Sequence, residues 1–289
     1  MRLLLLLICL TMFSIPSLGD VVSTIPARED SAPSGEQFLR ATAKFGHHNR
    51  EKAILEQLLS GNMPNFLRKL KPITTTFTSG SESYEITFYV TPDYLSLGSD
   101  SNHTIIPMAL PTATSFARRY GFVLPTPRMV DLIYQNAELV HAPKSIPPSR
   151  EMVTNAWYLK HQEMINANRD YFATTNLLVA GHKKDVVSCK ILSSRASKMA
   201  IYGWHRTNAK PIQPLSTVHH RSYVDYSHGI RLVSKWIKVN NRWTSIYQLM
   251  GHERLAYAVS HEGPFNLSKF MGFPNDSEID QDLLLASSF

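Results

Sequence analysis

The sequence predicts an α+β fold in which a helical N-terminal half packs on a mostly antiparallel, β-rich C-terminal half. Apolar residues recur at helical spacing through much of the chain before residue 168, whereas β-branched and aromatic runs dominate residues 176–240. No linker-like stretch interrupts residues 38–262. We therefore expect one α+β domain over residues 37–262.

Residues 1–19 have the pattern of a cleavable signal peptide. Arg2 precedes the apolar run from Leu3 to Phe13, and small residues follow at Ser17 and Gly19. This run is shorter than the roughly 20 residues that span a bilayer, and no later stretch is long and apolar enough to do so. The pattern predicts a secreted protein, extracellular or periplasmic, with no transmembrane anchor.

Cysteine and charge narrow the class of protein. Cys9 would leave with the signal peptide, so Cys189 could form no internal disulfide and is expected to be a buried small hydrophobe. Removal of Arg2 would leave 29 basic and 23 acidic residues, a formal charge of +6. Scattered charge of this size favours an anionic surface or an extracellular polymer as partner, and not a nucleic acid. The oligomeric state stays open.

The first half of the chain carries mainly helical patterns. Residues 20–36 are polar and predict a flexible leader, and helical spacing then runs from Gln37 to Leu59. Residues 72–77 and 84–90 predict a β-hairpin. Three helices should follow: one through 111–120, one opened by Thr126 as N-cap with Pro127 in its first turn, and one over roughly 151–168.

Strand patterns then take over. Short β-branched and aromatic runs predict strands at 176–180, 185–187, 200–202, 223–225, 230–233 and 235–239. A further element reaches Leu249, a helix is expected around residues 254–260, and residues 263–289 form a polar tail.

Residues 181–231 are the candidate site, because polar groups crowd there into strand ends and turns. This stretch holds five of the twelve histidines. On a strand, Tyr223, Asp225 and Ser227 would share one face, and a bulge at Gly229 could turn His228 toward them. A serine, a histidine and an aspartate are the ingredients of a nucleophile, its base and an orienting carboxylate. The candidate catalytic residues are His182, Asp185, His219, Asp225, Ser227 and His228, and the candidate substrate-binding residues are Tyr202, Trp204, His205, Gln213, Tyr223 and Arg231.

Each of these residues also has a purely structural interpretation. Asp225 or Ser227 could satisfy backbone groups at a bend, and His182 and His205 could be turn or strand-end residues. Trp204 and the tyrosines could line the core, and Lys183-Lys184 is most simply a solvated turn. The density of polar and aromatic groups nevertheless favours a functional cleft in which His182, His219 and His228 converge near Asp185 or Asp225.

Two resemblances bear on function. The blocks at 180–187 (AGHKKDVV), 201–205 (IYGWH), 211–215 (PIQPL) and 223–233 (YVDYSHGIRLV) resemble those of a family of secreted, mostly bacterial proteins of uncharacterised activity, and the similarity extends upstream through LPTPRMVD at 124–131. Ser227-His228-Gly229, with His219 upstream, also resembles the Ser-His-Gly-Cys motif of L,D-transpeptidases. Ile230 stands at the position of the nucleophilic cysteine of that motif. The resemblance therefore implies at most a role at the cell wall, and not the transpeptidase reaction.

The sequence lacks the glycine-rich loops, His-Glu-x-x-His helix and Gly-x-Ser-x-Gly elbow of common nucleotide enzymes, metalloproteases and hydrolases. No cofactor is expected. Lys183, Lys184 and Arg231 place positive charge where a cation would bind, which favours a metal-free site. The leading hypothesis is a secreted hydrolase of a cell-wall, glycan or peptide polymer using acid/base or Ser-assisted chemistry. One alternative is a non-catalytic carbohydrate- or cell-wall-binding module that uses the same cleft. The other is that residues 181–231 only stabilise an irregular sheet.

Overall fold

The computed structural model describes residues 25–167 and 176–273, and the predicted α+β fold class is confirmed. The predicted signal peptide, residues 1–19, and residues 274–289 of the predicted tail lie outside the described residues. The polar tail predicted over residues 263–289 is wrong for its first part, because residues 267–271 form a helix in which Leu267 and Met271 are buried. The described α-helices are α1 (Gly35–Ala41), α2 (His47–Leu59), α3 (Leu110–Arg119), α4 (Pro127–Gln135), α5 (Asn155–Asn166), α6 (Ile246–Gly251) and α7 (Leu267–Met271). The strands are β1 (Lys71–Ser79), β2 (Glu82–Val90), β3 (Ser96–Gly98), β4 (His103–Ile105), β5 (Phe122–Val123), β6 (Leu139–Val140), β7 (Val179–Ala180), β8 (Lys184–Val187), β9 (Ala200–His205), β10 (Pro211–Ser216), β11 (His228–Gly229), β12 (Val233–Ser234), β13 (Trp236–Val239) and β14 (Arg242–Ser245).

The larger sheet joins strands from both ends of the chain. Its order is β14-β13-β2-β12-β5, with β1 paired to β2 at the side. The predicted hairpin is β1–β2, and Val90 of β2 pairs with Val233 while Ile86 pairs with Val239. The expected helical first half is not clearly shown, because a long hairpin of that half lies in this sheet.

The smaller sheet carries the candidate site. Its order is β10-β9-β8-β11, antiparallel except for the parallel pair β8–β11. The register aligns His228 with Lys184, Lys184 with Gly203, and Gly203 with Gln213. Residues distant in sequence thus lie in one row across four strands.

Both halves contribute to a common hydrophobic core. One cluster of buried side chains includes Ile54 and Phe116 from the first half and Ile201, Ile230 and Met250 from the second. No helix among the described residues has the length and apolar character needed to span a bilayer.

Two local predictions, a helix cap and a buried cysteine, are confirmed, and a third, the flexible leader, is corrected. Thr126 caps α4, its Oγ1 accepting a hydrogen bond from the Met129 amide, as predicted. Cys189 is buried and free, also as predicted, and burial raises the pKa of its thiol to about 12. The predicted flexible leader is corrected for residues 25–36: Ile25 is buried, and Arg28 Nε donates to Asn62 Oδ1 over 3.0 Å.

The shared core predicts that neither half survives alone. Limited proteolysis should yield no stable fragment that ends between about residues 140 and 175, because each half would expose apolar surface that the other covers. Mass spectrometry of protease-resistant species separated by gel filtration checks this. Recovery of such a fragment as a folded monomer would contradict it.

Close packing at Gly229 gives a second prediction. A Cβ at this position would lie 2.6 Å from Tyr94 Cδ1 and 2.8 Å from Lys183 Cβ. Gly229→Ala should therefore lower the free energy of unfolding by about 1–3 kcal/mol, the range for overpacking a core. Urea denaturation measures the change. Gly251→Ala is the control, since nothing lies within 4 Å of its added Cβ, and an equal loss in both variants would contradict the prediction.

Candidate functional site

Residues 223–225 do not form the strand that the sequence predicts; a turn closed by a hydrogen bond from the His228 amide to the Asp225 carbonyl follows them and leads into β11. Asp225 Oδ1 accepts hydrogen bonds from the Ser227 amide at 2.8 Å and from Ser227 Oγ at 2.6 Å. Short polar side chains that bond the backbone two residues ahead stabilise turns, and here that local chemistry overrides the strand pattern. Asp225 and Ser227 are therefore in contact because the turn brings them together, and not because they share one face of a strand.

Five side chains around this turn, Asp225, Ser227, His228, Tyr223 and His219, form what we call the His228 cluster. Asp225 Oδ2 lies 3.7 Å from His228 Nε2 and accepts a hydrogen bond of 3.1 Å from the Tyr223 hydroxyl. The His219 ring stacks on Tyr223 with centroids 4.2 Å apart and planes 10° apart, and its centroid lies 6.3 Å from that of His228. His219 and Tyr223 are half-buried at the rim, whereas Asp225, Ser227 and His228 are buried.

The His228 imidazole is a buried neutral base. Burial lowers its pKa to about 4, against the opposing influence of Asp225. Neither ring nitrogen has a hydrogen-bond partner among the described residues. Burial disfavours ionisation of Asp225, but the adjacent His228 and the hydrogen bonds from Ser227 keep the pKa of Asp225 below its usual value. A carboxylate therefore lies beside an imidazole that is free to accept a proton.

Lys184 and Trp204 adjoin this cluster. Lys184 Nζ lies 5.0 Å from the centre of the Trp204 ring, and burial lowers the pKa of Lys184. Trp204 has a φ of 54°, next to Gly203 with a φ of 97°. A bulky residue rarely adopts this left-handed conformation, and such strain persists where the surrounding structure enforces it, often at functional sites.

Lys183 is not in a solvated turn, so that interpretation of its sequence is wrong. Its side chain is buried, and Nζ donates to the Tyr226 carbonyl at 2.6 Å and lies 2.9 Å from His161 Nδ1. Burial lowers the pKa of Lys183 to about 7. The Lys183 side chain thus stabilises the turn before β11 by its hydrogen bond to the Tyr226 carbonyl.

Two of the three histidines expected to converge lie near each other, with the ring centroids of His219 and His228 6.3 Å apart. His219 and His228 share one cluster, but the described contacts of His182 lie elsewhere. Its Nε2 is 3.1 Å from Asp93 Oδ1, and its ring packs edge-on against Tyr94 and His141. His182 is buried in a polar contact whose aspartate comes from the segment after β2.

Asp185 and Arg231 are likewise placed inside the fold. Asp185 Oδ2 accepts a 2.8 Å hydrogen bond from Tyr94, and Arg231 Nε lies 4.0 Å from Asp185 Oδ1. The Arg231 guanidinium donates to the carbonyls of Thr91 and Val179. Burial raises the pKa of Asp185 to about 6 although Arg231 opposes this. Asp185, a candidate catalytic residue, thus bonds to Tyr94 and faces Arg231, and Arg231, a candidate substrate-binding residue, bonds to two backbone carbonyls of the fold.

Tyr202 and His205 belong to another polar cluster, centred on Asp131 of α4. Asp131 Oδ1 accepts a hydrogen bond from the Tyr202 hydroxyl at 2.8 Å and lies 3.0 Å from His205 Nε2, and His261 Nε2 lies 3.3 Å from Oδ2. Burial opposes ionisation of Asp131, but these hydrogen bonds keep its pKa below the usual value. Gln213, also predicted to bind substrate, lies at the half-buried edge on β10 and donates to the Pro214 carbonyl.

Sequence reasoning missed the partners of these histidines. Asp93, Asp131 and His161 lie far from residues 181–231 in the chain, and only Asp131 falls in a block singled out there, LPTPRMVD. Asp93 follows strand β2 directly, a strand-end position that could have marked it as a candidate. Within residues 25–167 and 176–273, no group of three or more His, Cys, Asp or Glu side chains has an arrangement that could hold a metal ion.

Comparison of the chain with protein-family models, with curated proteins and with solved structures found no match.

The buried imidazole of His228 predicts an acid-labile contribution to stability. An unfolded histidine titrates near about 6.5, whereas the folded pKa of His228 is about 4. Between these values only the unfolded chain binds the proton, so the free energy of unfolding falls as the pH drops from about 6.5 toward 4. His228→Gln, which cannot titrate, should show a smaller loss over that interval when both proteins are unfolded in urea at each pH. A pH dependence equal to that of the wild type would contradict this assignment.

Proposed function

We propose that this protein is a secreted hydrolase of an extracellular polymer, with metal-free acid/base chemistry at the His228 cluster. The observation that carries the proposal is the His228 imidazole, which is neutral, lacks hydrogen bonds at both ring nitrogens among the described residues, and lies beside a carboxylate. A base held in this state can accept a proton from an attacking water. Secretion rests on the signal-peptide pattern of residues 1–19.

The roles follow from position. His228 is the general base, and Asp225, 3.7 Å from Nε2, stabilises the imidazolium that forms. His219 is the half-exposed imidazole at the rim. Burial lowers its pKa, so it is neutral and relays to the leaving group the proton that His228 takes from the attacking water. Its ring centroid lies 6.3 Å from that of His228, a separation that a water molecule can bridge. Lys184 places positive charge beside the cluster, and that charge disfavours a bound cation.

Ser227 receives a different role from the one its sequence context suggests. Its hydroxyl donates to Asp225 Oδ1 at 2.6 Å, and its side chain is fully buried. A nucleophilic serine would instead direct its proton at the base. We therefore assign Ser227 to positioning Asp225, with water as the attacking group.

One observation favours the second candidate function, a non-catalytic carbohydrate-binding module. His219 and Tyr223 form a nearly parallel stack at the rim, which offers a flat surface to a sugar ring. On this account His228 would only support that surface, and no turnover would occur.

Variants of adjoining residues separate these functions. His228→Ala should lower turnover by about two or more orders of magnitude, the range for loss of a general base, while Ser227→Ala should lower it far less because the hydroxyl only orients Asp225. The assay is the release of new reducing ends or amines from a panel of acidic glycans and peptidoglycan. His220→Ala is the matched control, because the side chain of this exposed neighbour hydrogen-bonds only to Ser222 among the described residues.

Two results would overturn the proposal. Binding of a polymer without release of product from any substrate of the panel would favour the binding module. One tightly held zinc per chain, with activity lost to a chelator and restored by metal, would replace the metal-free mechanism.

A further inference from the structure

We propose that Lys184 and Trp204 form a subsite for a carboxylate of the substrate, so that the polymer is an acidic, uronate-bearing glycan. The inference rests on the proposed function for its placement beside the reacting bond. The carboxylate would accept hydrogen bonds from Lys184 Nζ and Trp204 Nε1, with its sugar ring against the stack of His219 and Tyr223.

Lys184 carries a charge that the described residues do not neutralise by contact. It is half-buried, and Nζ forms no hydrogen bond or ion pair within residues 25–167 and 176–273; its contact is the face of the Trp204 ring at 5.0 Å. Asp225 acts on it only through space, since the oxygens of that carboxylate already accept from Ser227 and Tyr223. A partly desolvated ammonium gains most from an anion that reaches it directly.

Trp204 supplies a second group that lacks a partner. The side chain is 5% exposed, and its Nε1 has no hydrogen-bond partner among the described residues. Buried indole N–H groups normally find an acceptor. The strained backbone, with φ of 54°, holds this ring against Lys184, so the unused donor and the unpaired ammonium belong to one small region.

The donor set favours a carboxylate over a phosphate. One ammonium and one N–H match a single negative charge, and the Arg231 guanidinium donates to the carbonyls of Thr91 and Val179. The planar stack of His219 and Tyr223 distinguishes a sugar from a peptide, because an aromatic surface covers the apolar face of a sugar ring. A protein with an excess of basic residues is also suited to a polyanion.

The test is a titration that needs no turnover. The chain has four tryptophans, so ¹⁵N-tryptophan labelling gives a simple indole spectrum in which Trp204→Phe identifies the Trp204 signal. Tri-galacturonate should shift that signal saturably, and its fully methyl-esterified form should not. Lys184→Met should weaken binding of tri-galacturonate at least tenfold, and Lys184→Arg should restore most of it.

The matched control is Lys160→Met. Lys160 Nζ lies 4.7 Å over the Trp157 ring, whose Nε1 also has no hydrogen-bond partner among the described residues. Lys160 is exposed and does not belong to the proposed subsite, so its loss should leave the affinity unchanged. The ester comparison uses wild-type protein, so it decides the question even if Lys184→Met does not fold.

Three results would overturn the subsite: an unmoved Trp204 signal with tri-galacturonate, an equal shift with the methyl ester, or an equal loss of affinity in Lys160→Met. A Lys184-dependent shift with N-acetyl-D-alanyl-D-alanine and none with tri-galacturonate would overturn the glycan assignment in favour of a peptide carboxylate. The proposed function fails separately: binding as expected, with no hydrolysis of uronate-bearing polymers, would support the subsite and contradict catalysis.

Discussion

The arrangement of the sheets depends on the contacts of one buried group, the guanidinium of Arg231. It donates to the carbonyl of Thr91 at the end of β2 and to that of Val179 in β7, lies 4.4 Å over the Tyr94 ring, and approaches Asp185 of β8. One side chain thereby connects the six-stranded sheet, the four-stranded sheet and the β6–β7 pair. Removal of one member of such a buried charged group costs about 3–5 kcal/mol, because the other charge remains desolvated.

This constraint fixes the site indirectly. Asp185 is held by Tyr94 and Arg231, so the preceding residue, Lys184, begins β8 at a defined point. The parallel pairing of Lys184 with His228 and of Asp185 with Gly229 then sets where the turn at Asp225 must end. A fixed strand end and a side-chain-bonded turn leave His228 little freedom, which is the preorganisation that acid/base chemistry requires.

Polar groups within the fold differ in how completely they are satisfied. Arg231 Nη atoms, Lys183 and Asp131 have short hydrogen bonds to the protein, and such groups specify a unique packing. His228 and the Trp204 indole have none among the described residues. Buried groups without partners are costly to maintain, so a ligand that reached His228 and the Trp204 indole would relieve part of that cost.

The sequence by itself determined the fold class, the β1–β2 hairpin, the Thr126 cap of α4 and the burial of Cys189, because each depends on local periodicity, capping chemistry or side-chain polarity. It also located the stretch that holds His219, Asp225 and His228. Only the tertiary structure decided which aspartate meets which histidine: Asp93 meets His182 and Asp131 meets His205, across 89 and 74 residues of chain. Such pairings depend on strand order and on how helices pack against sheets, and no local pattern in the chain encodes those long-range contacts.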